Sequence, residues 1–127
     1  MPVVASETLA YIDVPNGARV RMLFDHSHFG TQNIALAQGE LRPQARLLFH
    51  YHEVEEVVFV MEGQGVVTID GVETPAKTGD GILVPARAVH SLRNPSETDV
   101  IRFVSAYAAS EVKRVYVEEG ASPSTAY

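Results

Sequence analysis

The sequence predicts an all-β protein, built as a sandwich or a barrel of short strands. Turn-forming residues recur about every ten positions, and the segments between them are rich in Val, Ile, Leu, Phe and Tyr. No stretch keeps a helical hydrophobic period for more than about two turns, and 108–113 is the best short candidate for a helix. Many short, evenly spaced strands are typical of sandwiches and barrels.

The strands are bounded by recognisable turns. Asn16-Gly17 and Asp70-Gly71 both suit two-residue hairpin turns, because such turns require positive φ. Pro43 marks 39–45 as a further turn. In chain order, the predicted strands are 11–14, 18–24, 33–38, 46–52, 56–62, 65–69, 72–74, 81–84, 91–94 and 99–107.

Length and composition predict one domain. The chain has 127 residues, of which 46% are hydrophobic and 20% charged, so it can bury a core of its own. Residues 118–127 are rich in Ser, Ala and Glu and are predicted to form a flexible C-terminal tail. The predicted domain is therefore 1–117.

Composition and charge exclude several classes of function. The chain has no cysteine, which excludes disulfides, thiolate metal sites and a cysteine nucleophile. A net charge of −6 argues against binding to nucleic acid. The N-terminus lacks the pattern of a signal peptide, and no apolar run approaches the roughly 20 residues that span a bilayer. We therefore expect a cytoplasmic protein that binds neither nucleic acid nor membranes.

One segment carries the pattern of a metal site. His50 and His52 lie two residues apart on a predicted strand, so their side chains share one face, and Glu56 follows on the same face if the pairing stays regular. His90 supplies a third imidazole beyond a Gly-rich turn and a short strand. Three imidazoles and a carboxylate suit divalent Fe, Mn, Ni, Co, Cu or Zn. The alternative is a set of ordinary surface histidines.

The neighbouring sequence favours the metal site over that alternative. The residues around the histidine pair are otherwise apolar, which makes an exposed position for the whole group hard to explain. A buried Glu56 would need compensation, which a cation supplies. Glu55 competes as the carboxylate ligand, but strand alternation points it to the opposite face, so Glu56 is favoured.

These residues fall at spacings that resemble those of the cupin superfamily. The first cupin motif is matched by His50, His52, Glu56 and Gly63, and the second by Gly79, Pro85, His90 and Asn94. The sequence departs from the pattern at two turn positions, where Gln44 and Arg87 replace glycine. The resemblance covers about residues 33–107.

The resemblance implies a fold, a cofactor and an assembly. The fold would be a small antiparallel β-barrel, the double-stranded β-helix or jelly roll of cupins, with its core at about 33–107. One divalent metal ion per chain would lie inside, held by His50, His52, Glu56 and His90, with one or two coordination positions open. The chain would form a homodimer, and the N-terminal segment 3–14 is the candidate for an exchanged or packed strand.

The second His-x-His pair and Arg46 each allow two interpretations. Asp25-His26-Ser27-His28 contains a second His-x-His pair, but no partner is placed near it, so a loop is favoured over a second metal site. Arg46 shares strand parity with the histidines and is a candidate for binding a substrate carboxylate or enolate. The alternative is an arginine paired with a neighbouring acid.

Three aromatic residues have predicted roles as well. Tyr51 is expected to pack away from the metal, and Phe59 to lie in the core or in an interface. Tyr107 is a candidate general acid–base, a role that tyrosine plays in some cupin lyases.

The leading functional hypothesis is a metal-dependent enzyme for a small molecule. Its ligand set resembles that of cupin dioxygenases, in which Fe(II) binds a small organic substrate through oxygens and O₂ reacts beside it. One alternative is an isomerase or lyase that works through an enolate. Another is a non-catalytic cupin that binds a small molecule. Because one barrel hosts many chemistries, the fold alone does not decide between them.

Overall fold

The computed structural model describes residues 2–118 and the backbone of Thr125–Ala126. A single 3₁₀ turn, Ser6–Thr8, precedes the strands in this part of the chain. The strands are β1 (Ile12–Val14), β2 (Ala18–Phe24), β3 (Ala35–Leu41), β4 (His50–Tyr51), β5 (Glu56–Glu62), β6 (Gln64–Ile69), β7 (Val72–Lys77), β8 (Gly81–Val84), β9 (His90–Arg93), β10 (Ile101–Tyr107), β11 (Lys113–Tyr116) and β12 (Thr125–Ala126). The predicted all-β class is confirmed.

The described strands form two antiparallel sheets of six strands each. One sheet has the order β1-β2-β3-β10-β5-β8, and the other has the order β12-β11-β4-β9-β6-β7. Side chains of both sheets form the apolar core, including Leu41, Val60 and Ile101 from the first sheet and Val67 and Leu92 from the second. Two facing antiparallel sheets with these crossovers make a jelly roll.

The predicted strand 46–52 is wrong in its length. Only His50–Tyr51 is strand, and Arg46 makes an isolated bridge. The reason is that side chains bond much of the intervening backbone. Ser91 Oγ donates to the Leu47 carbonyl at 2.5 Å, and Phe49 N–H donates to a carboxylate oxygen of Glu118 at 2.7 Å. These side-chain partners replace a regular ladder.

The short helix candidate at 108–113 is not a helix. The chain bends after Ala108 and then enters β11, which pairs with β4. Val112, Arg114 and Tyr116 are buried in alternation with more exposed neighbours, which is the period of a strand. The short segment contains too few residues to display this period against the helical one.

The predicted turn 39–45 is too long, since β3 continues to Leu41. Gly39 lies within this strand, where the Phe103 ring packs against it. A Cβ at this position would come within 2.1 Å of the ring, so glycine is required there. Gln44 and Arg87, which replace glycine in the cupin pattern, have φ of 62° and 66°. Both are therefore turn positions in the left-handed region that glycine occupies at least cost.

Most of the predicted tail, 118–127, lies outside the described residues. Within it, the structure describes Glu118, and it pairs Thr125–Ala126 with β11. No helix within the described ranges is long and apolar enough to cross a membrane.

Candidate metal centre

Three histidines and one glutamate meet between the two sheets. His50 begins β4 and His90 begins β9, and the two residues are paired directly across these strands. His52 follows β4, and strand alternation carries its side chain to the same face as His50. Glu56 begins β5 in the opposite sheet. All four side chains are buried, with His50 and His52 only 1% and 2% exposed.

The three histidines are close enough to share one cation, and Glu56 lies beside two of them. One ligand nitrogen from each histidine lies within 4.8 Å of those of the other two. The Oε1 atom of Glu56 lies 3.2 Å from His90 Nε2 and 3.4 Å from His52 Nε2. Donor atoms that each lie about 2 Å from one ion are separated by roughly 3 Å, so the carboxylate already has the required spacing.

The orientation of each imidazole is fixed from behind. In all three histidines, Nδ1 lies at hydrogen-bonding distance from a backbone carbonyl oxygen: Leu48 at 2.6 Å for His50, Lys113 at 2.7 Å for His52 and Ala88 at 2.9 Å for His90. A carbonyl only accepts, so Nδ1 carries the hydrogen and donates it. In a neutral ring, the lone pair is then on Nε2. Metal-binding histidines are oriented in the same way.

The charges of the cluster favour a cation between its members. Burial, together with the charge of Arg114, lowers the pKa of His50 well below its usual value, and burial lowers the pKa of His52 to about 4. Burial alone would raise the pKa of Glu56, but the interactions with the His90 and His52 imidazoles outweigh it and lower that pKa. At neutral pH, lone pairs of His50 and His52 therefore face an anionic carboxylate. The residues fit a divalent metal ion.

A small cavity adjoins this cluster in the space between the sheets. His50, Glu56, His90 and Ser91 form its polar wall. The rest of the wall is apolar and comes from both sheets and the loop before β4: Leu47, Val58, Val67, Ile82, Val84, Leu92 and Phe103. The cavity volume is about 20 Å³, the room that one small molecule takes.

Tyr107 lies beside the cluster, and Glu55 does not. Tyr107 ends β10, is buried opposite Glu56, and its ring centre is 5.2 Å from that of His52. Its role as a general acid–base stays a prediction. Glu55 is exposed, as strand alternation predicts, while Glu56 is buried. Tyr51 is half-buried and pairs with Val115 of β11.

Arg46 makes an ion pair with an acid from the C-terminal end of the described chain. Its guanidinium donates to both carboxylate oxygens of Glu118, at 2.5 Å and 3.2 Å, and this contact lowers the pKa of Glu118. Arg46 is not among the residues that line the cavity. The paired arginine, which the sequence left open, is the arrangement observed. Substrate binding by Arg46 stays a prediction.

The second His-x-His pair is a loop. His28 Nδ1 lies 2.9 Å from Asp25 Oδ1, which also accepts the backbone N–H of His28 at 2.6 Å. His26 is exposed. Within residues 2–118, neither histidine joins a group of side chains that could hold a metal.

Sequence reasoning missed two residues near the cluster. Arg114 and Tyr116 lie on β11 with buried side chains, and Arg114 Nη1 donates to Tyr116 Oη at 3.1 Å. The Tyr116 ring centre is 6.1 Å from that of His50, with which it is paired across β11 and β4. The sequence signal for this strand was the alternation of side chains at Val112, Arg114 and Tyr116. It was not used, because 108–113 was considered as a short helix.

The family follows from a direct comparison of the sequence. The family profile described as Cupin domain matches residues 36–107, which is more than half of the chain. The chain belongs to the cupin family. The resemblance drawn from the two motifs is thus confirmed, and so is the jelly-roll fold.

Several known proteins resemble this chain along most of its length. Protein SchB of Streptomyces halstedii is 33% identical over 96 residues, which cover 72% of this chain and 70% of SchB. Polyketide synthase CurC of Streptomyces cyaneus is 30% identical over 84 residues, covering 65% of this chain and 54% of CurC. The structure of the polyketide cyclase RemF from Streptomyces resistomycificus has a TM-score of 0.76 at 21% identity, covering 94% of this chain and 88% of RemF. At that identity, the likeness to RemF concerns the fold.

Proposed function

We propose that this cupin is a metal-dependent enzyme in which His50, His52, Glu56 and His90 bind one divalent ion. The proposal is carried by one observation, the convergence of three buried imidazoles whose Nδ1 atoms are anchored to carbonyls, with a Glu56 carboxylate oxygen 3.2 Å from His90 Nε2 and 3.4 Å from His52 Nε2. A bound ion would supply Lewis-acid chemistry and, as Fe(II), the ability to react with O₂.

The proposed substrate is a small organic molecule that offers two oxygens to the metal, such as a 1,3-dicarbonyl compound in its enolate form. A divalent ion and one carboxylate leave a net positive charge in a buried site, which favours an anionic enolate. The relative named as a polyketide synthase supports this class, because polyketides contain 1,3-dicarbonyl units.

The proposed reaction is oxidative cleavage of the substrate by O₂. A carbon–carbon bond breaks and one oxygen atom enters each fragment, so the substrate supplies all four electrons and no other reductant is needed. The three imidazoles and the carboxylate would hold the ion and leave coordination positions for reactants. Tyr107 would move a proton to or from the substrate.

A non-oxidative enolate reaction is the second candidate. It is favoured by the likeness to the relative named as a polyketide synthase, since condensation between carbonyl groups passes through an enolate without O₂. A non-catalytic binding protein is the third reading. It predicts metal and ligand binding without turnover.

The test begins with metal analysis of the purified protein and continues with O₂ uptake against a panel of diketones, phenols and hydroxy acids. Oxidative cleavage predicts stoichiometric O₂ consumption, and enolate chemistry predicts substrate loss without it. Tyr107→Phe should lower kcat about 100-fold with metal content unchanged. Turnover by protein that holds no metal would contradict the proposal.

We also propose that the chain forms a homodimer. The outer face of β5, β8 and β10 supports this, because it exposes Val57, Phe59 and Leu83 around an apolar groove without charged residues. The segment 3–14, predicted to be an exchanged or packed strand, ends in a strand that pairs with β2 of its own chain. Phe59→Glu should give a monomeric mass by light scattering, while Ile34→Glu, at another exposed apolar position, should not. A monomeric wild type would refute the proposal.

The predicted cytoplasmic location and the absence of nucleic-acid or membrane partners remain proposals based on the sequence. Cell fractionation and a nucleic-acid binding assay at low salt would test them. Nucleic-acid binding that strengthens as salt is lowered would contradict the proposed absence of nucleic-acid partners.

A further inference from the structure

We infer that the cavity beside the histidine cluster binds a small apolar gas molecule, and that this molecule is O₂ in the reaction proposed above. The inference rests on the proposed function for the identity of the reactant. The preference of the cavity for an apolar gas follows from its size and its walls alone.

The size of the cavity excludes an organic substrate. Its volume is about 20 Å³, whereas pockets that hold drug-sized ligands measure about 300–1,000 Å³. A single water needs about 10–15 Å³ on the same measure, so the occupant is one molecule of about two heavy atoms. The organic substrate must therefore meet the cluster from another side.

The walls of the cavity disfavour water as that occupant. A buried water needs two to four polar partners. Ser91 Oγ already donates its one hydrogen to the Leu47 carbonyl at 2.5 Å and could only accept from a water, which is one partner, and the Nδ1 atoms of His50 and His90 donate to backbone carbonyls. The Nε2 atoms and the Glu56 carboxylate remain, and both point into the cluster, where a metal would bind. Away from this wall, a water would have no side-chain partner.

The opposite wall is apolar and is shared between the two sheets. Val58 and Phe103 come from the first sheet, and Val67 and Leu92 from the second, all buried. An apolar diatomic molecule gives up almost no hydrogen bonds when it leaves water, and apolar cavities in proteins stay dry and bind xenon. The cavity thus holds a gas molecule against the atoms that would hold the metal, and it keeps bulk water away from that side.

Xenon is the probe that tests this inference without turnover. Crystals of the zinc-loaded wild type, pressurised with xenon, should show one anomalous peak in the cavity. Val67→Leu adds one methylene to the apolar wall and should abolish the peak. The matched control is Val66→Leu, which makes the same change on the same strand but on the opposite face, and it should keep the peak. Zinc affinity should be the same in all three proteins.

A wild-type cavity that takes no xenon, or that holds an ordered water against Val58 and Val67, would overturn the inference. This measurement needs no variant, so it decides even if Val67→Leu fails to fold. If the enzyme consumes O₂, Val67→Leu should raise KM for O₂ several-fold and Val66→Leu should not; an unchanged KM would overturn the assignment to O₂. Xenon binding in a protein that consumes no O₂ with any substrate supports gas binding and removes the proposed oxidative reaction, so the two failures are distinguishable.

Discussion

The chain contains two His-x-His pairs whose surroundings differ completely. His26 and His28 lie in a loop after β2, where His26 is exposed and His28 Nδ1 is bonded to Asp25. His50 and His52 are buried at β4, and their Nδ1 atoms are bonded to backbone carbonyls. The same three-residue pattern therefore gives a solvated turn in one place and a candidate metal site in the other.

A His-x-His pair is therefore not sufficient for a metal site. An aspartate two or three residues away satisfies a histidine locally and turns its ring toward its own loop. A backbone carbonyl fixes the ring from behind and leaves Nε2 to point across the barrel. The remaining groups, Glu56 and His90, come from two other strands. A metal site thus depends on long-range pairing that brings further ligands to the histidines, as it does for the second pair.

The largest expected effect comes from removing one imidazole of the second pair. His50→Ala should lower the affinity for zinc or cobalt by more than about 100-fold, because losing even an outer-shell partner costs 10–100-fold. His26→Ala, the matched change in the loop pair, should leave the affinity unchanged. Calorimetric titration of the metal into each metal-stripped protein measures both. Equal losses of metal affinity in the two variants would show that the two pairs do not differ in metal binding.

The second largest effect should be a loss of folding stability at low pH in the metal-free protein, caused by the buried histidine pair. The pKa of His52 falls from 6.5 to about 4 on folding, so between these values the unfolded chain binds more protons. Stability is therefore full above about pH 6.5 and declines as pH falls toward 4, by roughly 3 kcal/mol from His52. His50 and Glu56, whose pKa values are also lowered, act in the same direction.

Urea unfolding of the metal-stripped protein at several pH values measures this loss. His52→Gln should flatten the decline between pH 6.5 and 4. Saturating zinc should raise the stability most at the upper end of this range, because the metal competes with protons for the same nitrogens. An equal decline in wild type and variant would show that burial of His52 has no such cost.

A smaller effect should separate the two adjacent glutamates. Glu56→Gln keeps the shape of the side chain but removes its charge, and should weaken metal binding about tenfold. Glu55→Gln makes the same chemical change on the exposed face and should have no effect on metal binding. Metal titration under the same conditions tests both variants. A loss confined to Glu55→Gln would transfer the carboxylate ligand to the neighbouring position.

How far the sequence predicts this site depends on whether the information is local. Strand alternation is local, and it correctly separated Glu56 from Glu55 and placed His50 and His52 on one face. The motif spacing added His90, which the structure brings opposite His50.

Features that depend on contacts between distant segments could not be predicted from the sequence. Arg114 lies beside the cluster only because β11 pairs with β4 across more than fifty residues, and no local pattern encodes that pairing. The predicted length of the strand at 46–52 was wrong for a similar reason. The side chains of Ser91 and Glu118, which lie far away in the sequence, form hydrogen bonds with its backbone. Alternation predicts which face a side chain takes, and tertiary contacts decide whether the backbone stays in a ladder.

The smallest effect should come from the partner of the loop pair. Asp25→Ala removes the acceptor of two hydrogen bonds to His28, and should lower the free energy of unfolding by about 1 kcal/mol, measured in urea. It frees the imidazole but supplies no third ligand from another strand, so the metal stoichiometry should stay at one per chain. A second equivalent of tightly bound zinc in this variant would mean that Asp25 alone keeps the loop pair from binding metal. Unchanged stoichiometry would locate the difference between the pairs in the strands that carry Glu56 and His90.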